Sequence, residues 1–511
     1  MDDKALATAL TQPDAYPHPA DQISVIETHI SRVFLAGAFA YKLRKPVRFS
    51  FVDFSTLAAR RADCETELRL NRRLAPSLYL DVVPIVAGGS AGAVRVDAEG
   101  DPLEYAVRMR RFEQQDLLSA MAESDRLTTA HIDALASGIA DFHRLQPCAV
   151  ATDGFGTPAR IAATLRECLG GLSGLAGGSW LVERVALVLR SRAAALESAF
   201  RARLASGHVR ECHGDLHLGN IVLLDGTPTP FDCIEFDPGL RWIDTISDLA
   251  FPFMDLLHRD RQALAYRLLN VYLERSGDYA GLTLLPFYVA MRALVRARVR
   301  LERARQQLES DGQPMAAVHA ECQALLMLAL RFLTRRPGGM VLMHGLSGSG
   351  KSTVAAQLGE SGAMVRVRAD VERKRRHHGI EPAAGWYAGD ETNRTYQRML
   401  AICRIGAKAG FPMIADATFL ARRQRDRFAA QARRLRVPLS IVDCAASLAT
   451  LRARIEARAH ARQDPSDADL AVLERQLRTQ EPLSASEQAC VIAAARLGTP
   501  TCPVPARPSG G

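Results

Sequence analysis

The most informative stretch of the chain is His213-Gly214-Asp215-Leu216-His217-Leu218-Gly219-Asn220. Asp215 stands five residues before Asn220, and an apolar run then leads to Asp232, 17 residues after Asp215. Phosphoryl transfer to a hydroxyl needs a carboxylate near the acceptor, oxygen ligands for Mg²⁺ and a cation on the nucleotide phosphates. The stretch supplies the carboxylate and the oxygen ligands, so it predicts a site that handles phosphate.

This stretch resembles the HGDxHxxN loop of the aminoglycoside phosphotransferase-like branch of the protein-kinase-like fold, over about residues 20–330. The resemblance implies that Asp215 is the catalytic base and that Asn220 and Asp232 are magnesium ligands. The alternative for Asp215 is that it caps a turn. The chain departs from the kinase pattern ahead of the sheet lysine, where Gly37 stands without a full glycine-rich loop.

The same resemblance assigns further roles around the nucleotide. It implies Lys42 as the strand lysine on the α- and β-phosphates, Glu67 on the next helix as its ion-pair partner with Glu65 as the fallback, Met109 in Arg108-Met109-Arg110-Arg111 as part of the adenine hinge, and Asp248 as a structural aspartate. These roles imply ATP and Mg²⁺ as cofactors.

A second phosphate motif lies more than a hundred residues further along the chain. It reads Gly345-Leu346-Ser347-Gly348-Ser349-Gly350-Lys351-Ser352-Thr353 and matches G-x-x-x-x-G-K-[ST] in full. In this motif glycines turn backbone N–H groups toward the phosphates, Lys351 reaches the β- and γ-phosphates, and Ser352 binds magnesium. An apolar run, 340–343, precedes the motif, so we predict a P-loop between a strand and a helix rather than a flexible linker.

Two aspartates and a row of arginines accompany this P-loop. Asp370 and Asp416 end strand-like runs and are predicted as the base for the acceptor hydroxyl and as a metal ligand, with helix capping as the alternative for each. Arg454 and Arg458, followed by Arg462, share one helical face and resemble the arginine-bearing lid of small P-loop kinases. A solvated basic face is the alternative for the arginines.

The pattern of elements predicts an α+β kinase-like domain followed by an α/β P-loop domain with a parallel sheet. Strand-like runs lie at 23–26, 32–35, 38–43, 105–110, 340–343, 413–415 and 439–442, and helical spacing lies at 57–74. We predict domains at 1–335 and 338–497 and a disordered tail at 498–511. The whole chain resembles bacterial fusions of an aminoglycoside phosphotransferase-like domain with a P-loop kinase.

Composition limits the setting in which the chain works. The ten cysteines form no CxxC pair, and the start of the chain lacks the apolar core of a signal peptide. No uninterrupted apolar run of ~18 residues is present, so we expect a cytoplasmic protein without a membrane span. The net charge of +9 fits either an anionic partner or an arginine-rich composition.

The leading hypothesis is an ATP-dependent phosphotransferase with two ATP sites that acts on hydroxyl groups of small molecules. A nucleotide sensor, in which one module is a pseudokinase that regulates the other, is the alternative. A kinase of nucleic-acid ends ranks last, because aromatic residues make up only 6% of the chain and stacking platforms need them. The residues do not predict an oligomeric state.

Overall fold

The computed structural model describes residues 1–28, 30–49, 52–90, 92–172, 175, 179–307, 315–377, 389–461 and 469–492, without the side chains at 306–307, 389 and 458–461. The predicted tail at 498–511 and Arg462 lie outside these residues. The chain divides into two compact units, 1–138 with 142–160 and 201–252, and 139–141 with 161–200 and 253–511. This division reflects packing, and the motif-based domain bounds stay a prediction.

The secondary structure alternates between a strand-rich start, a helical middle and an α/β end. The strands are β1 (Ile23–Glu27), β2 (Ser31–Ala36), β3 (Phe39–Arg44), β4 (Arg48–Phe49), β5 (Val52–Asp53), β6 (Tyr79–Ala87), β7 (Val94–Val96), β8 (Pro102–Arg110), β9 (Val209–Glu211), β10 (Ile221–Leu224), β11 (Thr227–Pro230), β12 (Trp242–Asp244), β13 (Met340–His344), β14 (Val365–Arg368), β15 (Met413–Asp416) and β16 (Leu439–Asp443).

The helices are α1 (Asp3–Ala9), α2 (Leu57–Asn71), α3 (Leu118–Glu123), α4 (Thr129–Leu145), α5 (Pro158–Gly170), α6 (Ser179–Ala195), α7 (Glu197–Ala205), α8 (Pro238–Arg241), α9 (Thr245–His258), α10 (Gln262–Ser276), α11 (Leu285–Gln307), α12 (Met315–Leu333), α13 (Lys351–Ser361), α14 (Ala369–Arg376), α15 (Gly389–Lys408), α16 (Arg422–Leu435), α17 (Leu448–Ala461), α18 (Leu470–Thr479) and α19 (Ala485–Gln488). Short 3₁₀ turns connect several of them.

The first unit is built on a six-stranded antiparallel sheet in the order β1-β2-β3-β8-β6-β7. Helix α2 starts at the Thr56 N-cap and buries Cys64, Glu67 and Leu70. Sequence patterns predict β1, β2, β3, β8 and α2 but miss β6 and β7. Pro84 in the middle of β6 hides that strand, since proline is rare in paired strands, and the pairing with β8 shifts register on either side of it.

Two short β pairs carry the loop 213–220 beneath this sheet. β9 pairs with β12 immediately before the loop, and β10 pairs with β11 immediately after it. The β10–β11 hairpin turns at Asp225-Gly226, where both residues have positive φ. The loop is therefore anchored by a strand at each end.

The P-loop part of the second unit is a parallel sheet in the order β14-β15-β13-β16. Helices connect successive strands, and β13 and β15, at the centre of the sheet, are largely buried. β14 ends at Arg368 and Asp370 lies in the first turn of α14, so the strand-end position predicted for Asp370 is wrong. A carboxylate is favoured in a first helical turn, where it faces the positive end of the helix dipole.

The open side of edge strand β14 is covered by α10 of the same unit. The Asn270 amide donates to the backbone oxygen of Met364 at 3.0 Å and accepts from the backbone N–H of Arg366 at 2.7 Å. The Tyr279 hydroxyl donates to the backbone oxygen of Arg366 at 3.4 Å. Side chains thus satisfy edge groups that β14 cannot pair with another strand.

Helix α12 is long and apolar enough to cross a membrane by length and composition alone. It packs against α11 and α6 inside the second unit and buries eight residues, among them Leu325, Leu326 and Phe332. The interior helices of globular domains share these properties.

Candidate functional sites

The loop 213–220 brings Asp215 and Asn220 together. The Asn220 side-chain amide donates to the backbone oxygen of Asp215 at 3.0 Å and to its carboxylate at 2.9 Å. His217 caps the 3₁₀ turn by accepting from the Gly219 N–H at 3.0 Å. Gly214 has φ 89°, and a side chain there would meet the Leu240 backbone oxygen at 2.8 Å, so the tight bend requires glycine.

Lys42, Glu67 and Asp232 converge at the face of the six-stranded sheet. The Lys42 ammonium lies 2.7 Å from the Glu67 carboxylate and 2.6 Å from the Asp232 carboxylate. Burial alone lowers the pKa of the Lys42 ammonium, but the charges of Asp232 and Glu67 outweigh it and raise the pKa above its ordinary value. The lysine therefore keeps its positive charge beside the candidate metal ligands.

Glu65 and Met109 occupy different surroundings. Glu65 points to the surface and pairs with Arg61 at 2.8 Å, so the fallback partner for Lys42 is wrong. Met109 is 7% exposed near the end of β8 and packs in a core cluster with Ala40 and Val222. The region predicted as the adenine hinge thus begins at an apolar wall.

Arg44 is a site residue that the motifs do not indicate. Its guanidinium is 1% exposed and contacts three carboxylates, those of Asp63, Glu67 and Glu235, with the Glu67 oxygen at 2.6 Å. Burial raises the pKa of the Glu235 carboxyl to about 7 against the opposing charge of Arg44. Arg44 therefore ties the lysine strand, α2 and the segment after Asp232 together.

Asp248 anchors the start of the loop, in agreement with the structural role that the resemblance implies. It accepts from the backbone N–H groups of His213 and Gly214 at 3.1 and 2.9 Å, and His143 Nε2 lies 3.1 Å from it. Ligand atoms of His143, Cys212 and Asp248 lie within 4.8 Å of one another. Because both Asp248 oxygens already accept hydrogen bonds from the backbone, this cluster fits a structural role better than a metal site.

The P-loop joins β13 to α13 in the conformation that its glycines permit. Gly345, Gly348 and Gly350 have φ of 133°, 83° and 88°. A side chain at Gly345 would lie 2.3 Å from the Cys444 backbone oxygen. The Lys351 ammonium donates to the Leu346 backbone oxygen at 2.6 Å, inside the loop.

Ser352 and Asp416 meet at the carboxyl end of the parallel sheet. The Ser352 hydroxyl donates to Asp416 Oδ1 at 3.3 Å, while Asp416 Oδ2 is buried and has no hydrogen-bond partner among the described residues. Burial raises the pKa of the Asp416 carboxyl, and the neighbouring Arg366, Arg368 and Lys351 oppose this shift. A hydroxyl and a buried carboxylate oxygen beside a P-loop fit the oxygen ligands that Mg²⁺ prefers.

The other predicted residues of this site are only partly brought together. The Asp370 carboxylate pairs with Arg373 of its own helix at 2.6 Å. Arg454 Nη1 donates to the Gly348 backbone oxygen at 3.3 Å, so this arginine borders the phosphate loop. Thr353 is exposed on α13, and the side chain of Arg458 lies outside the described residues.

Gln476 is a second site residue that the motifs do not indicate. Its side-chain oxygen accepts from the backbone N–H of Ser347 at 2.9 Å, and its side-chain nitrogen donates to the Ser347 hydroxyl at 3.0 Å. Gln476 therefore holds the outer turn of the P-loop from helix α18. Its distance of 129 residues from Ser347 leaves no local signal for this contact.

Comparison with known proteins matches each of the two segments to a family model. A model of the family described as phosphotransferase enzyme family matches residues 40–285, and a model described as AAA domain matches residues 340–483. The chain belongs to a family of fused proteins in which a kinase-like phosphotransferase domain precedes a P-loop domain. The predictions of this family and of the two fold classes are confirmed.

The relatives include uncharacterized proteins of Mycobacterium bovis and Mycobacterium tuberculosis, each 33% identical over 466 residues, which is 88% of this chain and 89% of the relative. A choline/ethanolamine kinase family protein from Mesorhizobium loti is similar in structure, with 16% identity, a TM-score of 0.39, and coverage of 66% of this chain and 95% of that one. A gluconokinase from Sinorhizobium meliloti 1021 has 20% identity, a TM-score of 0.24, and coverage of 32% and 89%.

Proposed function

We propose that the chain is an ATP-dependent phosphotransferase with two nucleotide sites, which transfers γ-phosphate to hydroxyl groups of small molecules. The observation that carries the proposal is that each family segment has its own cation and its own acidic oxygen ligands. Lys42 lies beside Asp232 in the first segment, and Lys351 lies in the P-loop next to Ser352 and Asp416 in the second.

In the first site we assign Asp215 as the base that accepts the proton of the acceptor hydroxyl. The Asn220 amide orients this carboxylate through the 2.9 Å hydrogen bond. Lys42 would hold the nucleotide phosphates, and Glu67 fixes its ammonium. Asn220 and Asp232 would hold Mg²⁺, which when bound neutralises phosphate charge.

In the second site the backbone N–H groups of the P-loop and the Lys351 ammonium would bind the phosphates. Ser352 and Asp416 would hold Mg²⁺. We propose that Arg454 and Arg458 stabilise the charge that develops during transfer. We propose Asp370 as the base for the acceptor hydroxyl, a role that requires its ion pair with Arg373 to open first.

The test is to incubate the full chain with γ-labelled ATP and a metabolite extract and to identify the labelled products by mass spectrometry. We expect Asp215→Asn and Lys351→Ala to remove different products, and the double variant to remove all of them. Asp225→Asn, at the exposed hairpin turn, is the matched control and should keep every product.

If each single variant still forms every labelled product, the proposal is refuted. If Asp215→Asn changes no product while Lys42→Met still weakens nucleotide binding at the first site, the first domain is a nucleotide sensor. Label at the ends of nucleic acid would favour the alternative of a kinase of nucleic-acid ends. Formation of that product would then fall steeply as the salt concentration rises.

A further inference from the structure

The P-loop site receives a carboxylate from the other family segment. Glu274 lies in the last turn of α10, within the 40–285 match to the phosphotransferase family. Its two oxygens accept from Arg366 Nη2 at 3.1 Å and from Arg368 Nη1 at 3.0 Å. Both arginines lie on β14, and because they are two residues apart their side chains leave the same face of the strand.

These two arginines border the candidate metal ligands. Arg366 Nη1 donates to the Ser352 backbone oxygen at 3.2 Å. Arg368 is the register partner of Asp416 in the parallel pair, and its Nε lies 3.7 Å from Asp416 Oδ2. This is the buried oxygen that has no hydrogen-bond partner among the described residues.

The position of Glu274 relative to β14 is set by several contacts. The backbone oxygen of Glu274 accepts from Arg375 Nη2 at 2.6 Å. One turn earlier, Asn270 bonds to the backbone on both sides of Val365. Arg267, two turns before Glu274, pairs with Glu360 of α13 at 2.6 Å. The carboxylate is therefore presented to the two arginines from a fixed helix.

We propose that Glu274 is a positioning residue of the P-loop site, which holds Arg368 back from Asp416 so that Oδ2 stays available to a divalent cation. A guanidinium and a divalent cation compete for the same carboxylate oxygen. Without Glu274, the attraction of a buried carboxylate draws Arg368 into a direct pair, which the cation must then displace. This inference rests on the proposed role of Asp416.

The test measures binding of Mn²⁺ to the full chain with ADP by electron paramagnetic resonance. All variants carry Asp232→Asn, which silences the first site. We expect Glu274→Gln to weaken Mn²⁺ binding at the P-loop roughly 10–100-fold, the usual effect of removing an outer partner of a metal ligand. Adding Arg368→Gln to Glu274→Gln should restore binding, because the competing cation is gone.

Two further variants control for folding and packing. Glu302→Gln removes a carboxylate from the Arg298 pair on α11 and leaves the carboxylate of Glu274 in place, so it should leave Mn²⁺ affinity unchanged. Arg368→Gln alone should bind Mn²⁺ at least as tightly as the parent, an outcome that does not depend on how well Glu274→Gln folds.

The inference is overturned if Glu274→Gln leaves Mn²⁺ affinity unchanged, if Arg368→Gln fails to restore it, or if Arg368→Gln alone weakens it. Asp416→Asn separates this failure from failure of the proposed function. If Asp416→Asn does not weaken Mn²⁺ binding, the metal assignment itself is wrong. If it does and Glu274→Gln does not, only the role of Glu274 is wrong.

Discussion

Replacing Arg44 by methionine is the sharpest test of how the first site is held together. Methionine keeps much of the side-chain length and removes the charge that faces Asp63, Glu67 and Glu235. These carboxylates are 9%, 0% and 5% exposed, so water cannot replace the guanidinium. Breaking a buried ion pair from one side costs about 3–5 kcal/mol of unfolding free energy, and we expect Arg44→Met to fall in this range at pH 8.

The cost should depend on pH in a defined direction. In the parent protein the pKa of Glu235 is raised to about 7, so this carboxyl loses its proton between pH 6 and pH 8. Without Arg44 its pKa rises further, and the folded variant keeps the proton that the parent releases. Lower pH therefore favours the variant, and the penalty at pH 6 should be about 1.4 kcal/mol smaller than at pH 8.

The assay is amide hydrogen exchange of peptides from β3 and α2, which gives the free energy of opening where Arg44 acts. Rates are corrected for intrinsic exchange at pH 6 and pH 8. Arg110→Met is the control, because Arg110 lies on β8 of the same sheet and its ion pair with Asp225 is exposed. A penalty below about 1 kcal/mol, or one that is equal at both pH values, would show that Arg44 does not stabilise these buried carboxylates.

Three further predictions concern the two nucleotide sites. Lys42→Met should weaken nucleotide binding at the first site about 10–100-fold, the worth of a hydrogen bond to a charged group. Lys45→Met should not, because the Lys45 ammonium pairs with the exposed Glu27 at 3.0 Å. Calorimetric titration with ADP measures both. Gln476→Leu removes two hydrogen bonds to the P-loop and should lower the stability of that region by about 1–3 kcal/mol, as measured by hydrogen exchange. An equal effect of Gln480→Leu would contradict this prediction. Asp416→Asn should raise the thermal midpoint of unfolding at neutral pH in EDTA, because burial raises the pKa of this carboxyl and the charged form is therefore unfavourable in the folded protein. The gain should vanish as falling pH protonates Asp416 in the parent protein. A change in midpoint that is the same at all pH values would contradict this prediction.

Local motifs were sufficient to predict the residues that come together in the loop 213–220 and in the P-loop. Asp215 and Asn220 lie in one loop, and the P-loop glycines permit the backbone conformation of that turn. The relative positions of these residues therefore follow from their spacing in the sequence. Arg44 could have been found as well, since it follows Lys42 at the two-residue spacing that places side chains on one face of a strand.

The remaining contacts could not be predicted, because they join segments that are far apart in the chain. Gln476 reaches the P-loop across 129 residues, and Glu274 reaches Arg366 across 92. Asp370 was misplaced for a different reason, because a strand that passes directly into a helix has no turn residue to mark its end. The positions of these residues depend on tertiary packing, and a local sequence motif contains no information about that packing.

The hydrogen bonds of the Asn270 amide limit where the chain can be divided into separate fragments. A polypeptide that begins at residue 338 has β14 at the edge of its sheet but lacks the side chain that bonds to its backbone. A bare strand edge pairs readily with other chains, so this fragment should aggregate. Recombination that exchanges the P-loop half would therefore have to carry α10 with it, although the family match ending at residue 285 counts that helix with the other half.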